Sequence, residues 1–442
     1  MLRRFAFGLG LLSATILSHS AFAQTESTLQ IVISKTAQSM TVYDGEKVVA
    51  TSRVSTGKAG HTTPSGIFSI LEKRKYHESN IYSNAPMPFM QRLTWSGIAL
   101  HEGHVPDYPA SHGCIRMPQG FAKTLFGMTE RGVHVVISDA PLEPASITHA
   151  NLFVPLKPLP SEPLMSDIDL RPTVKRKTTG PYEVAMNSAE TAPDMTVTSS
   201  VSKQDAAPLR ILIKRRDRRE TVMDMQVMLT GLGFDAGTPD GLVGSMTRSA
   251  MAGFKRWKNL PADGSALSKD FLSALYRASG KTEPPAAHLL ARQNFEPLFE
   301  APIGLKNPEI PLGTHFFTSS NLDRSGERAE WHALTLPNVL TPAEKQRLDI
   351  KPDALPSSAS EVLDRLNIPA DVRERIGTLM TDGTSLTITD EGLGPETGKG
   401  TDFITLTRSE AKIAESKPAA KERQNKPRRS ALRSYRNGIG LY

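Results

Sequence analysis

The sequence predicts a multidomain protein in which a β-rich domain is followed by a small three-helix bundle and a C-terminal mixed α/β region. Three observations lead to this prediction: short alternating strands over residues 29–140, helical periodicity over 217–280, and a proline-rich stretch between them. The chain has 442 residues, which at roughly 100–200 residues per domain allows two or three domains. Its apolar fraction of 38% is below the roughly 45–50% of a fully folded chain, so we expect linker or tail segments.

Residues 1–23 are predicted to be a secretory signal peptide. Two arginines precede an apolar run that ends near Leu17, and Ala21 and Ala23 supply the small residues that signal peptidase requires. The run is too short to span a bilayer, and an uncleaved anchor is the alternative. No later stretch approaches about 18 apolar residues, so we expect no transmembrane anchor and a location in the periplasm or cell envelope.

The β-rich domain is predicted over residues 29–140. Leu29, Ile31 and Ile33 fall at alternate positions, a period of two that predicts a strand, and Asp44-Gly45 is a hairpin turn. Roughly 110 residues are enough for such a domain to bury its own core. Strand patterns occupy 29–33, 41–43, 48–51, 67–70 and 133–137, and a helical pattern covers about 121–128.

Residues 141–210 are predicted to be a linker. The stretch is rich in proline and contains only two aromatic residues, Phe153 and Tyr182. It cannot bury enough apolar area to offset the entropy that is lost on ordering, so we expect a flexible and extended connection.

Residues 217–280 are predicted to form three short helices. Met225, Leu229 and Leu232 fall at positions i, i+4 and i+7, and Gly233 follows as a helix C-terminal glycine. The apolar faces of the second and third helices consist of Thr247, Ala250, Met251 and Phe254, and of Phe271, Leu272 and Leu275.

Residues 281–408 are predicted to form a mixed α/β domain to which the sequence assigns no task. Thr341 before Pro342 fits a helix N-cap followed by proline at the first helical position. Strand patterns cover 313–318 and 385–389, and helical patterns cover 341–344 and 369–380.

The tail, residues 409–442, is basic and is predicted to be a disordered arm. Electrostatic attachment to an anionic envelope surface is the alternative. Because the chain is expected to be exported, we expect no nucleic-acid partner.

Cys114 is the only cysteine of the chain. A single cysteine excludes an internal disulfide framework, an iron–sulfur cluster and a multi-cysteine zinc module. In an exported protein a lone thiol calls for an explanation, such as catalysis or intermolecular pairing.

The densest cluster of reactive side chains surrounds this cysteine. A cysteine attacks a carbonyl as the thiolate and therefore needs an imidazole nearby; His112 is two residues away, whereas His101 can approach only through the fold. Gly113 allows a sharp turn whose backbone N–H groups can point at an oxyanion. Arg116 is expected on the same face as Cys114, where it can bind a substrate carboxylate.

Two other interpretations of these residues stay open. A cysteine is often a small buried hydrophobic residue without chemistry. Zinc accepts ligands such as His101, His104, His112 and Cys114, although their spacing matches no common ligand frame.

The cluster resembles the signature of the L,D-transpeptidase catalytic domain, the YkuD-like family, in residues 111–117 (Ser-His-Gly-Cys-Ile-Arg-Met) and 98–101 (Ile-Ala-Leu-His). Residues 54–58 and 62–68 resemble that family's S-T-G and T-P-x-G-x-F segments. The resemblance implies a β-sandwich-like fold, export, and cross-linking of the cell wall by a thiol.

The same resemblance implies roles for individual residues. Cys114 attacks the peptide carbonyl of the diamino acid at position three of a tetrapeptide stem, expels the terminal D-Ala and passes the acyl group to an amine on a neighbouring stem. His101 corresponds to the base, Ser111 to a supporting residue, and His112 with Gly113 to the substrate-contacting and oxyanion region. No metal or organic cofactor is implied.

The sequence departs from the family pattern at two positions. His101 is followed by Glu102, Gly103 and His104, where many members have glycine directly after the histidine, so His104 is an alternative base. Arg116 stands where other members carry asparagine, and it is the candidate substrate-binding residue. The acyl acceptor is also open, since water or an amine of an envelope protein can replace the stem amine.

The helical segment resembles the type 1 peptidoglycan-binding domain. Its L-Q, L-G, D-G-x-x-G and D-G elements correspond to residues 225–226, 232–233, 240–244 and 263–264. The resemblance implies peptidoglycan as the partner of the protein. A non-catalytic scaffold that binds the wall is the remaining alternative.

Overall fold

The computed structural model describes residues 28–79, 84–157, 207–263, 267–281 and 284–409. The predicted signal peptide, residues 158–206 of the predicted linker and the tail from residue 410 lie outside the described residues. Among the helices that the structure describes, none is both long and apolar enough to cross a membrane.

The N-terminal part of the chain is β-rich, and each predicted strand and the predicted helix are confirmed. Four further strands, β5 to β8, are only three or four residues long, too short to show alternation. The elements are β1 (Leu29–Ser34), β2 (Ser39–Asp44), β3 (Lys47–Arg53), β4 (Ser65–Ser69), β5 (Glu72–Arg74), β6 (Met90–Arg92), β7 (Ala99–Glu102), β8 (Ile115–Met117), α1 (Gln119–Met128), β9 (His134–Ser138) and β10 (Ala145–Ile147).

The C-terminal part combines helices with a large sheet, as the mixed α/β prediction requires. Its elements are β11 (Arg210–Arg215), α2 (Arg218–Gly231), α3 (Ser245–Trp257), α4 (Lys269–Ala278), β12 (Ala287–Gln293), β13 (Glu296–Leu305), β14 (Thr314–Asp323), β15 (Arg328–Leu336), α5 (Pro342–Arg347), α6 (Ala359–Arg365), β16 (Leu366–Asn367), α7 (Ala370–Leu379), β17 (Ser385–Thr389) and β18 (Thr405–Thr407).

Two sheets enclose the core of the N-terminal part. One has six strands in the order β18-β4-β9-β1-β2-β3, and the other has four in the order β5-β6-β7-β8. Phe68 and Val135 of the first sheet and Leu100 and Ile115 of the second are fully buried in one apolar cluster, together with Leu125 of α1. This packing orients the paired strands β7 and β8, which carry the residues around Cys114.

The three predicted helices form a helical module, α2 to α4, with its own apolar core. Asp217 caps α2 in a capping box with Glu220, which fixes the first turn of that helix. Met225, Phe254 and Leu275 lie in the core, one from each helix, as their spacing predicts. The module is inserted between β11 and β12, which are adjacent antiparallel strands.

The predicted linker at 141–210 differs from the structure at both ends. Residues 145–147 form β10, which pairs with β15, and Leu152 and Phe153 are buried in the C-terminal core. At the other end, β11 begins at Arg210 and pairs with β12 and β17. A three-residue strand carries no alternation that a sequence pattern can reveal, and its pairing partner is far away in the chain.

The C-terminal region packs directly on the six-stranded sheet. Val32, Ile67 and Val136 of that sheet form an apolar cluster with Phe316 and Leu334 of the eight-stranded sheet. Strand β18 leaves the C-terminal region and pairs antiparallel with β4. The predicted boundary between 29–140 and 281–408 therefore does not separate two independent sheets.

Candidate active site

The paired strands β7 and β8 place His101 and Cys114 on the same face of the four-stranded sheet. They are parallel, with Leu100 opposite Ile115 and His101 opposite Arg116. Leu100 and Ile115 point into the core. Because side chains alternate along a strand, His101, Arg116 and Cys114 share the opposite face.

The loop that precedes Cys114 is held by the Ser111 hydroxyl. Ser111 Oγ accepts a hydrogen bond from the Gly113 N–H at 3.1 Å and donates one to the Cys114 carbonyl at 2.5 Å. Gly113 has a φ of +120°, and a Cβ built on it would lie 2.9 Å from Ile98 Cδ1. A side chain here would be strained, so the loop needs glycine immediately before Cys114.

The segment around Thr63 holds the same loop through hydrogen bonds. Thr63 is fully buried, and its hydroxyl donates to the Gly113 carbonyl at 2.7 Å while it accepts from the Gly57 N–H at 2.8 Å. A Cβ on Gly57 would lie 2.0 Å from the His61 carbonyl oxygen, so this approach also requires glycine. The sequence pointed to both segments, but their role as a support for the loop is visible only in the structure.

The Cys114 thiol is half-buried and has a carbonyl partner. Its Sγ donates to the Gly97 carbonyl at 3.3 Å. Burial raises the pKa of the Cys114 thiol, whereas a backbone hydrogen bond from Ala99 and the charges of Arg116 and Arg92 act to lower that pKa. Burial is the largest of these effects, so the sulfur favours the protonated form and needs a base to become a nucleophile.

His101 has the properties of such a base. Only 8% of the residue is exposed, and burial lowers its pKa to about 4, so the ring is neutral at neutral pH. Its Nδ1 lies 2.6 Å from the Glu102 carbonyl oxygen. A carbonyl oxygen only accepts hydrogen bonds, so Nδ1 carries the proton and Nε2 presents a free lone pair.

Comparison with known families identifies this region. Residues 29–137 match the family model for the L,D-transpeptidase catalytic domain, and residues 218–266 match that for a peptidoglycan binding domain. The segment around Cys114 is thus similar to the L,D-transpeptidase catalytic domain. No curated protein matches the chain.

Solved structures of L,D-transpeptidases are similar to a quarter of the chain. The enzyme from Mycobacterium smegmatis is 22% identical, with 25% of this chain and 58% of that chain covered and a TM-score of 0.24. The enzyme from Stackebrandtia nassauensis is 25% identical, with 27% of this chain and 60% of that chain covered and a TM-score of 0.24. The enzyme from Xylanimonas cellulosilytica is 26% identical, with 26% of this chain and 62% of that chain covered and a TM-score of 0.23. The chain spans less than two thirds of each of these relatives.

The other two histidines of the catalytic domain that were predicted near Cys114 are exposed. His104 lies beyond the end of β7. His112 lies in a bend before β8, with its ring centroid 4.7 Å from that of His61. Burial therefore distinguishes His101 from both.

The four candidate zinc ligands do not form a metal site. In the part of the chain that the structure describes, no group of three His, Cys, Asp or Glu side chains is arranged to hold a metal ion. His104 and His112 are exposed, whereas His101 is buried.

The catalytic domain contains functional candidates that the sequence interpretation missed. Arg92 on β6 donates to Glu72 at 2.8 Å, and its guanidinium lies 5.7 Å from the ring centroid of Trp95. Trp95 is 52% exposed and belongs to the same connection between β6 and β7 as Gly97. Trp95 lies two residues before Gly97, whose carbonyl accepts a hydrogen bond from the Cys114 thiol.

Proposed function

We propose that the protein is an L,D-transpeptidase that acts on peptidoglycan through Cys114. The observation that carries the proposal is the neutral His101, whose Nδ1 bonds to the Glu102 carbonyl and leaves Nε2 as a base on the face that Cys114 shares. The match of residues 29–137 to the catalytic family supports the same reaction class.

The first half of the reaction forms a thioester. His101 Nε2 takes the proton from Cys114 Sγ, and the sulfur attacks the carbonyl carbon of the third residue of a tetrapeptide stem. The tetrahedral intermediate collapses, the C–N bond to the terminal D-Ala breaks, and the imidazolium returns the proton to the departing amine. The products of this half are free D-Ala and the acyl group on the sulfur.

The second half transfers the acyl group. An amine of a neighbouring stem attacks the thioester carbonyl, forming an amide, and the C–S bond breaks. The amine loses a proton to His101, which passes it to the sulfur, so the free thiol is regenerated. The product is a 3-3 cross-link, and no metal or organic cofactor takes part in these steps.

Supporting roles are assigned to residues around the sulfur. Ser111 holds the Gly113 amide and the Cys114 carbonyl, and Arg116 lies on the Cys114 face, where it can pair with a stem carboxylate. The Gly113 N–H already donates to Ser111, so an oxyanion would have to compete for this donor. His112, being exposed, is placed to contact substrate.

The remaining features fit an enzyme of the cell wall. Residues 218–266 of the helical module match a peptidoglycan binding family, so we propose that the module docks the enzyme on its polymeric substrate. A predicted signal peptide at 1–23 then places the protein in the periplasm or cell envelope. Envelope proteins with exposed amines are alternative acyl acceptors.

The test is incubation of purified protein with tetrapeptide-containing muropeptides, followed by mass spectrometry. The wild type should release D-Ala and produce 3-3 dimers, and Cys114→Ala should produce neither. Release of D-Ala with only tripeptide products would instead show hydrolysis. Identical products from Cys114→Ala would overturn the proposal.

The base assignment has a matched pair of variants. His101→Ala should reduce turnover by about a hundredfold or more, the range expected for loss of a general base. His104→Ala, three residues away and exposed, should retain wild-type turnover. The reverse result would assign the base to His104.

A further inference from the structure

The sequence after β17 returns to the catalytic domain as a strap, defined here as residues 390–408. Strand β18 within it pairs with β4, and Ile404 is buried in the apolar core that contains Phe68 and Leu100. Gly66 on β4 has no room for a side chain, because a Cβ there would lie 2.1 Å from the Thr405 carbonyl oxygen. The strap is therefore part of the catalytic domain's own packing.

Two buried ion pairs attach the strap to β11, the strand that leads into the helical module. Arg215 pairs with Asp390 at 3.0 Å and Arg210 pairs with Asp402 at 3.4 Å, and each of the four side chains is less than 10% exposed. Asp390 and Asp402 are the first and last residues of the segment 390–402. The segment between them is thus anchored at two points.

The excursion between these anchors is a closed turn with Glu396 near its tip. The Gly394 N–H donates to the Ile404 carbonyl at 3.1 Å, and the Thr397 hydroxyl accepts from the Ile404 N–H at 2.9 Å. The Glu396 carboxylate accepts a hydrogen bond from the Ser96 N–H at 3.2 Å. The strap therefore reaches the loop between β6 and β7.

This 94–98 loop contacts the nucleophile directly. The Gly97 carbonyl, next to Ser96, accepts the Cys114 thiol at 3.3 Å. Ile98 Cδ1 also packs against Gly113, the residue before Cys114. A change in the position of Ser96 is thus expected to move the Gly97 carbonyl, which accepts the hydrogen bond from the thiol.

We propose that Glu396 is a positioning residue for the Cys114 thiol. By holding the Ser96 amide, Glu396 fixes the position of the Gly97 carbonyl, which accepts the hydrogen bond from the thiol. This proposal rests on the catalytic role of Cys114 proposed above. A carbonyl that accepts from S–H stabilises the neutral thiol over the thiolate. The strap therefore keeps the sulfur protonated until a base removes the proton.

Other charged and titratable groups face the sulfur and stay in place when Glu396 is changed. Arg92 on β6 and Arg116 on β8 favour the thiolate, and His101 on β7 is the neutral base. None of the three has a hydrogen bond or ion pair to Glu396 among the described residues. The effect of Glu396 should thus pass through the 94–98 loop.

The experiment measures alkylation of Cys114 by iodoacetamide in the full-length protein as a function of pH. Glu396→Ala should lower the midpoint of this profile by about half a pH unit, which raises the rate at neutral pH about threefold. Glu396→Gln keeps a carbonyl acceptor and should retain the wild-type midpoint. Glu396→Asp keeps the charge but shortens the side chain, and it should behave like Glu396→Ala.

Lys399→Ala serves as the matched control, because Lys399 is exposed in the same strap; its profile should equal that of the wild type. An unchanged midpoint in Glu396→Ala, or equal shifts in Glu396→Gln and Glu396→Ala, would overturn the proposal. Alkylation needs no peptidoglycan substrate, so a failed muropeptide assay with a shifted alkylation profile would count against the proposed reaction only.

Discussion

At the scale of single residues, the site is a pair of groups that are both neutral in the folded protein. Burial raises the pKa of Cys114 and lowers the pKa of His101 to about 4. A thiol and a neutral imidazole are the correct starting forms for a general base that removes the proton only when the substrate arrives.

Gly113→Ala should destabilise the protein and remove its activity. The new Cβ would combine a φ of +120° with a contact of 2.9 Å to Ile98, a strain of about 1–3 kcal/mol. Gly120→Ala is the control, since a Cβ at this exposed position in α1 meets nothing within 4 Å. Urea denaturation should show a loss for the first variant and none for the second; equal stabilities would contradict the strain argument.

His101 should make stability depend on pH. The pKa of His101 falls from 6.5 to about 4 on folding, so between these values the unfolded chain binds a proton that the folded protein does not. Stability is complete above pH 6.5 and declines as the pH falls towards 4, by up to about 3 kcal/mol. Denaturation series at pH 7 and pH 4.5 should show a smaller difference for His101→Gln than for the wild type. A difference of the same size in both would argue against a neutral buried His101.

At the scale of elements, the strands β7 and β8 and the segment around Thr63 build the site together. The strands place His101 and Cys114 on one face, while the Thr63 hydroxyl joins the Gly57 amide to the Gly113 carbonyl. Thr63 is 50 residues away from Gly113 in the sequence. The loop that precedes Cys114 therefore depends on the segment around Thr63, which contributes no reactive side chain to the site.

Thr63→Val should weaken this support. The variant preserves the shape of the side chain but leaves the buried Gly57 N–H and Gly113 carbonyl without their partner, at a cost of about 1–3 kcal/mol. Thr62→Val, one residue earlier and exposed, should stay within about 0.5 kcal/mol of the wild type. Thermal denaturation and muropeptide turnover should be measured on both variants. Equal losses of melting temperature and turnover in the two variants would refute the argument.

At the scale of the whole molecule, the catalytic domain and the C-terminal region share structure. The six-stranded sheet takes its edge strand β18 from residues 405–407, and the helical module is inserted between two strands of the eight-stranded sheet. The buried pair of Arg210 and Asp402 joins β11 to the strap at 3.4 Å. We expect the two regions to unfold together.

Arg210→Met should destabilise the whole protein by about 3–5 kcal/mol, because it leaves the Asp402 carboxylate buried without its cation. The double variant Arg210→Met/Asp402→Leu should recover part of this loss. Lys351→Ala, which removes the exposed pair with Glu309, should change stability by less than about 1 kcal/mol. A loss below 1 kcal/mol in Arg210→Met, measured by urea denaturation, would show that the regions are not coupled through this pair.

Much of this architecture was predictable from local sequence patterns. Alternation at Leu29, Ile31 and Ile33 predicted β1, and the i, i+4 spacing of Met225 and Leu229 predicted α2, because periodicity and turn chemistry act over a few residues. The cluster of Ser111, Gly113 and Cys114 pointed to a catalytic cysteine because reactive residue types were adjacent in the chain.

The tertiary structure alone decided which side chains are buried and which distant segments pair. It distinguished His101 from His104 by burying one ring against a carbonyl and exposing the other. It also assigned the short strands β10 and β18 to sheets far away in the sequence. Burial and strand pairing between remote segments leave no local periodicity, so they follow from packing of the complete chain.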